Sequence, residues 1–382
     1  MRWDTRVVHE GQDPDPATGA VNTPIYLSST FQQEAPGKSR GFVYSRTGNP
    51  TRAALEKALA SLEGGAGALS FASGLAATSA LFMSFPAGAR IVAGNDLYAG
   101  ALRLLTIART HGVRVDLVDA ADTAALTETI ETSPSPDLVF VETPSNPLLR
   151  IVDLGKAVRA AHRAGTTICV DNTFASPVLQ HPLGLGADIV LHSTTKYISG
   201  HSDIIGGALV FLRRELRDRM QWFQNTGGGV PSPFDCYLQL RGIRTLALRM
   251  RAHCQNARAV AEFLEDHPRI DRVYYPGLRS HPGYSVARRQ MDDFGGMVTA
   301  ELKDGLAGVR RFTRRLRVFT LAESLGGVES LVNHPARMTH ASIPREEREA
   351  RGITDGVLRF SVGIEDPADL VEDLGQAFQR KG

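Results

Sequence analysis

Between residues 67 and 212 the chain alternates short apolar runs with segments of helical periodicity. The runs are Gly67 to Phe71, Arg90 to Ala93, Val113 to Val118, Leu138 to Val141, Thr167 to Val170, Ile189 to Leu191 and Ala208 to Leu212. Strand-length runs separated by helices predict an α/β fold, with a mostly parallel seven-stranded sheet covered by helices. The first helix is marked at both ends: Asn49 stands at the N-cap, Pro50 in the first turn, Leu55, Leu59 and Leu62 on one stripe, and Gly64 just beyond. Ahead of it, residues 1–47 are polar, hold Asp13-Pro14-Asp15-Pro16 and show no helical period. Such a stretch is either disordered or laid as an arm on a neighbouring subunit. The run Thr226-Gly227-Gly228-Gly229-Val230-Pro231 breaks the pattern. From about residue 245 the order changes to a long helix (Leu246 to Leu264), strands (Arg272 to Tyr275 and Met297 to Leu302) and further helices. The expected organisation is therefore an arm, 1–47, a large domain, 48–244, and a smaller α+β domain, 245–382.

Composition narrows the function classes. With 382 residues, 42% of them hydrophobic, the chain can bury a large core. A formal net charge of +2 makes no electrostatic case for nucleic acid or an anionic membrane. The basic stretch Arg310, Arg311, Arg314, Arg315 and Arg317, with Phe312 and Leu316 four apart, reads as the solvated face of an amphipathic helix. Cys169, Cys236 and Cys254 are too scattered for a zinc site or a disulfide framework, which fits a reducing cytoplasm and no metal. No apolar run follows the charges of the N-terminus, and nothing later approaches a membrane span.

Open parallel sheets bind ligands outside the carboxyl ends of their strands. Three polar clusters fall at such ends: Asp171-Asn172, Glu142 to Pro147, and His192-Ser193-Thr194-Thr195-Lys196-Tyr197. An ammonium at the end of a buried strand must be neutralised, paired or converted, and a Schiff base is one such conversion. On extended backbone Ser193 and Thr195 point the same way and suit a phosphate beside Lys196. A fourth cluster, Ala72-Ser73-Gly74-Leu75, joins a strand to a helix, where free N–H groups and the positive helix end also favour phosphate. A lysine, a carboxylate, a phosphate cradle and an aromatic ring, here Tyr98, are together what pyridoxal phosphate chemistry requires.

At these positions the chain resembles the cystathionine family of fold type I pyridoxal phosphate enzymes, the trans-sulfuration group. The likeness runs in order through Tyr44 to Thr51, Ser73 to Ala77, Glu142 to Pro147, Asp171 to Phe174, His192 to Tyr197, Gly200 to Asp203, Ala322 to Ser330 and Arg359 to Glu365. It implies that Lys196 carries the cofactor and shuttles protons, Asp171 pairs with the pyridine nitrogen, and Tyr98 stacks on the ring and exchanges protons with the leaving group. Gly74, Leu75, Ser193 and Thr195 would hold the phosphate of their own subunit, and Tyr44 and Arg46 that of the neighbour. Arg359, with Asn146 and the Ser324 backbone, would bind the α-carboxylate of a small amino-acid substrate. The same resemblance implies a homotetramer, a dimer of dimers with sites shared across the dimer interface.

Gly100 stands where methionine γ-lyases of the group carry cysteine, and Arg103 matches the arginine that meets the distal carboxylate of cystathionine. Glu323 and the run Pro335 to Pro344 resemble cystathionine γ-lyases most, whereas Ala99 and Ala101 depart from the usual residues beside the tyrosine. The expected reaction is γ-elimination on L-cystathionine, giving cysteine, 2-oxobutanoate and ammonia. Its alternative is the γ-synthase reaction, in which cysteine replaces the acyl group of an acylated homoserine. A dinucleotide-binding oxidoreductase is excluded, because Gly65-Ala66-Gly67 precedes its apolar run and Ser70 takes the third glycine's place. A serine hydrolase is excluded too, since Ser202 lacks the second glycine of the nucleophile elbow.

Overall fold

The computed structural model describes residues 1–379. All seven apolar runs are strands of one sheet: β1 (Gly67–Phe71), β2 (Arg90–Gly94), β3 (Arg114–Val118), β4 (Leu138–Glu142), β5 (Thr167–Asp171), β6 (Ile189–His192) and β7 (Gly207–Phe211), in the order β1-β7-β6-β5-β4-β2-β3. Only β7 runs against its neighbours. Strands β2, β4, β6 and β7 are buried along their whole length, as expected of a sheet covered on both faces. Register places the last residues of β4 and β5 side by side, Glu142 against Asp171, with Asp171 against Leu191 of β6. The polar strand ends thus form one row.

A second sheet, in the order β10-β11-β12-β9-β8, is built from β8 (Ile270–Tyr274), β9 (Met297–Leu302), β10 (Thr320–Leu321), β11 (Leu331–Asn333) and β12 (Val357–Ser361). The helix Leu246–Glu265 packs against it. Helix α2 (Pro50–Glu63) forms as its sequence signals require: the Asn49 side chain accepts the amides of Thr51 and Arg52, and Gly64 closes the helix at φ 72°. Its stripe of Leu55, Leu59 and Leu62 is buried.

Outside the strand-end clusters the chain departs from expectation in three places. The arm is not without helix, because Trp3–His9 forms α1, which buries Val7 against α2 and the helix Leu246–Glu265. Three apolar residues in its seven suffice for one short helix once a surface is offered, though too few to mark a period. The basic stretch is not one helix either. The helix Gly305–Thr313 stops because the Asp373 carboxylate accepts the amides of Arg317, Val318 and Phe319 at 2.8–3.0 Å and holds them in a bend. Finally, Thr226 and Gly227 still belong to the helix Arg214–Gly227, which Gly228 ends at φ 71°.

The turn after β6 is anchored from beneath by Arg249, only 4% exposed. Its guanidinium donates to the carbonyls of Tyr197 at 2.7 Å and Gly242 at 2.8 Å, and to the Thr245 hydroxyl at 3.0 Å. No carboxylate pairs with it among the described residues, and burial pushes its pKa down to about 10. Replacing Arg249 with methionine strands these buried carbonyls. Urea denaturation should show a loss of about 2–4 kcal/mol in unfolding free energy.

Candidate active site

Lys196 lies in a turn, with its amide on the Ser193 carbonyl at 3.2 Å and its carbonyl accepting from Gly200 at 2.8 Å. The run after His192 is therefore not extended, and the alternation expected to aim Ser193 and Thr195 together does not hold. The Thr195 hydroxyl instead exchanges hydrogen bonds with the backbone of Gly206. The Lys196 Nζ donates to Ser324 Oγ at 2.8 Å. Burial, then the neighbouring Arg359 charge, bring this amine down to about 8, with Glu323 acting in the opposite sense. Ser324 occupies the left-handed region at φ 84°, a strain of roughly 1–3 kcal/mol for a residue with a Cβ. Its neighbours hold it there: Arg359 Nη2 donates to the Ser324 carbonyl at 2.9 Å, and the Gly326 amide to Ser361 Oγ at 2.8 Å.

Arg359 rises from β12 and is 2% exposed. Its Nη1 donates to Asn146 Oδ1 at 2.7 Å, while its Nε has no partner among the described residues. Burial brings it down to about 10, partly offset by Tyr197, Glu142, Glu323 and Tyr98. A buried guanidinium with an unused donor suits a carboxylate fork.

At the end of β5, Asp171 Oδ1 accepts from the Thr173 amide at 3.0 Å and from its hydroxyl at 2.6 Å. Burial raises its pKa, and the Thr173 hydrogen bonds and the nearby His192 oppose the rise. The Ser193 amide donates to the same Thr173 hydroxyl at 2.9 Å, tying the lysine turn to the aspartate. Helix α3 (Gly74–Met83) is capped by Ser73, which accepts from Ala76. The amides of Gly74 and Leu75, in its first turn, have no helical acceptor. A Cβ on Gly74 would stand 3.0–3.2 Å from Ser193, so glycine lets that hydroxyl lie beside the helix start. Tyr98 precedes α4 (Ala99–Thr110) and is 40% exposed. A Cβ on Gly100 would fall 2.5 Å from its ring and 2.9 Å from Leu75, so Gly100 gives the ring its room beside α3.

Lysine, carboxylate, helix-end amides, hydroxyl and aromatic ring therefore converge on one face of the strand ends. They fit a group with an aldehyde, a basic ring nitrogen and a phosphate. Other expected residues stand further out. Arg103 and Glu323 are exposed, and among the described residues neither makes an ion pair or a side-chain hydrogen bond. Tyr44 and Arg46 are exposed on the arm, where the guanidinium lies 5.5 Å from the tyrosine ring and bonds Asn225. None of the described hydrogen bonds joins them to the lysine cluster of the same chain. Sequence reasoning assigned no role to Thr173 or Arg249. Thr173 was legible as a hydroxyl two residues after a strand-end aspartate, but Arg249 gave no signal, being one arginine among many on a long helix.

A family model described as Cys/Met metabolism PLP-dependent enzyme matches residues 4–379. The chain is similar to the cystathionine gamma-synthase of Mycobacterium tuberculosis, 53% identical over 98% of this chain and 96% of that protein. It is 50% identical to the cystathionine beta-lyase of Coxiella burnetii, over 98% of this chain and 97% of the relative. Among solved structures it resembles cystathionine gamma-lyase of Lactobacillus plantarum complexed with L-serine, with a TM-score of 0.95 and 43% identity, covering 99% of this chain and 98% of the other.

The lowered pKa of Lys196 has a consequence for stability in the cofactor-free protein. The unfolded chain keeps this proton up to about 10.5 and the folded chain releases it at about 8. Between those values the unfolded state binds more protons, so stability rises with pH there. Measured by denaturation at each pH, the wild type should gain up to about 3 kcal/mol relative to Lys196→Met across that window and nothing below it.

Proposed function

The chain belongs to the family of Cys/Met metabolism PLP-dependent enzymes, and from that premise we propose that it cleaves L-cystathionine at the γ-carbon to L-cysteine, 2-oxobutanoate and ammonia. Pyridoxal 5'-phosphate, when bound, supplies an electron sink conjugated to the substrate's amino nitrogen. We assign the remaining work to the chain's own residues. Asp171 holds a proton on the ring nitrogen, Gly74, Leu75, Ser193 and Thr195 hold the phosphate, and Tyr98 covers the ring. Arg359, steadied by Asn146, takes the α-carboxylate. The neutral amine of Lys196 removes the Cα proton and then moves a proton at Cβ, and the Tyr98 hydroxyl gives a proton to the departing sulfur.

The observation that carries this reading is the meeting at Ser324, whose hydroxyl receives Lys196 Nζ and whose carbonyl receives Arg359. A base and a carboxylate holder fastened to one residue suit an α-amino acid presented at its Cα. At the mouth, Arg103 and Glu323 offer opposite charges for the distal carboxylate and ammonium of cystathionine. The second reading is the γ-synthase, favoured by the 53% identity to the mycobacterial enzyme; it shares these residues, and cysteine takes the place of water. Product analysis with cystathionine alone decides. Rapid release of 2-oxobutanoate supports the lyase. Pyruvate would mean β-cleavage, and near silence, with fast cystathionine synthesis from an acylated homoserine and cysteine, would mean the synthase.

We also propose that residues 1–47 reach a neighbouring subunit within a homotetramer, where Tyr44 and Arg46 complete that subunit's phosphate site. The exposure of both in the single chain supports this. Residues 48–244 would then be the cofactor domain and 245–382 the smaller domain. Arg46→Ala and Lys196→Ala should each be nearly inactive alone. Refolded mixtures should regain activity, because one site of each hybrid dimer recovers both residues; mixtures that stay inactive despite proven hybrids would confine the arm to its own subunit.

A further inference from the structure

Glu142 ends β4 in register with Asp171, the two side chains lying on the same face of strands about 4.8 Å apart. It is 6% exposed, and its one hydrogen bond among the described residues comes from the backbone amide of Tyr98, 2.7 Å from Oε2. Asp171, by contrast, is supported by both the amide and the hydroxyl of Thr173. Two buried carboxyls this close do not readily both ionise, and the charge falls to the one with more donors. We infer that Glu142 is a positioning residue that stays protonated, its carbonyl oxygen clamping the Tyr98 amide so that the tyrosine ring is set over the cofactor while Asp171 keeps the charge.

The surroundings of Glu142 agree. Burial and the charges of Asp171 and Asp96 push its proton affinity well above the usual carboxyl range, and the Tyr98 amide and Arg359 oppose them without prevailing. Asp96 is itself engaged by the Ser145 hydroxyl and lies 3.9 Å from Arg150. The Tyr98 carbonyl accepts the amides of Ala101 and Leu102 at 2.8 and 3.3 Å, and the clamp on its amide fixes the other side of the same residue against the sheet. Its ring is 40% exposed and no described side-chain hydrogen bond holds it, so the backbone position at the start of α4 decides where the ring lies. A second anion beside Asp171 would also raise the aspartate's own proton affinity and weaken its hold as an anion on the ring nitrogen.

This inference rests on the family's cofactor and not on which sulfur substrate is cleaved, so its readouts remain valid if the cystathionine assay fails. In the holoenzyme, Glu142→Gln keeps the acceptor and carries no charge. It should preserve the visible circular dichroism of the bound cofactor, the cofactor Kd and the pH profile of kcat/KM. Glu142→Leu, or Glu142→Met if the leucine variant does not fold, removes the acceptor. It should weaken the dichroism and lower kcat/KM by on the order of 10²-fold, the cost of a misplaced catalytic group. The infrared difference between wild type and Glu142→Gln should show a carboxylic-acid carbonyl band at neutral pH. A glutamine variant as damaged as leucine, a leucine variant indistinguishable from wild type, or a carboxylate band in that difference spectrum would each overturn the inference.

Discussion

Taking a charge out of water costs several kcal/mol unless fixed partners replace its hydration, and the strand ends of the large sheet gather Lys196, Asp171 and Glu142, to which the small sheet adds the buried Arg359. Each group meets the cost differently. Lys196 gives up proton affinity and leans on one hydroxyl. Arg359, which cannot shed its charge, is held by an amide oxygen and a backbone carbonyl. Asp171 draws two hydrogen bonds from Thr173, and Glu142 has one. The Lys196 amine is consequently brought down to about 8, while the guanidinium at Arg359 remains a fixed cation.

The two sheets divide this work. The large sheet presents Lys196, Asp171 and the start of α3 from its carboxyl edge, and the small sheet brings Arg359 on β12. Ser324 joins them, with its side chain on the lysine and its carbonyl on the arginine. That double engagement explains why a residue with a Cβ stays at φ 84°: relaxing it would release both contacts. Strain is maintained where the surrounding bonds over-determine it, and here it sits between Lys196 and Arg359.

Similarity to a γ-synthase, a β-lyase and a γ-lyase at comparable identity has a physical reading. In the roles we propose, the row of buried groups serves steps common to all three reactions, namely holding an amino acid by its carboxylate and moving its Cα proton. Tyr98, Arg103 and Glu323, by contrast, are exposed. Charges there are solvated and weakly constrained, so that region can differ without disturbing the core.

Much was decided by the sequence alone, because it depends on local rules. Strand-length apolar runs, the cap at Asn49, the stop at Gly64 and the polar residues that end β4, β5 and β6 are set by side-chain periodicity and backbone preference within a few residues. The order of motifs indicated the cofactor chemistry in the same local way. Tertiary structure decided what local rules cannot reach. The Asp373 carboxylate, far along the chain, cut short a helix that the spacing of Phe312 and Leu316 had promised. The turn after His192 replaced the extended run, tied through Thr173 just beyond the neighbouring strand and anchored from below by Arg249. Register alone set Glu142 beside Asp171. In each case the deciding partner is distant in sequence, and a charge or a backbone amide takes whichever partner the assembled fold brings within reach.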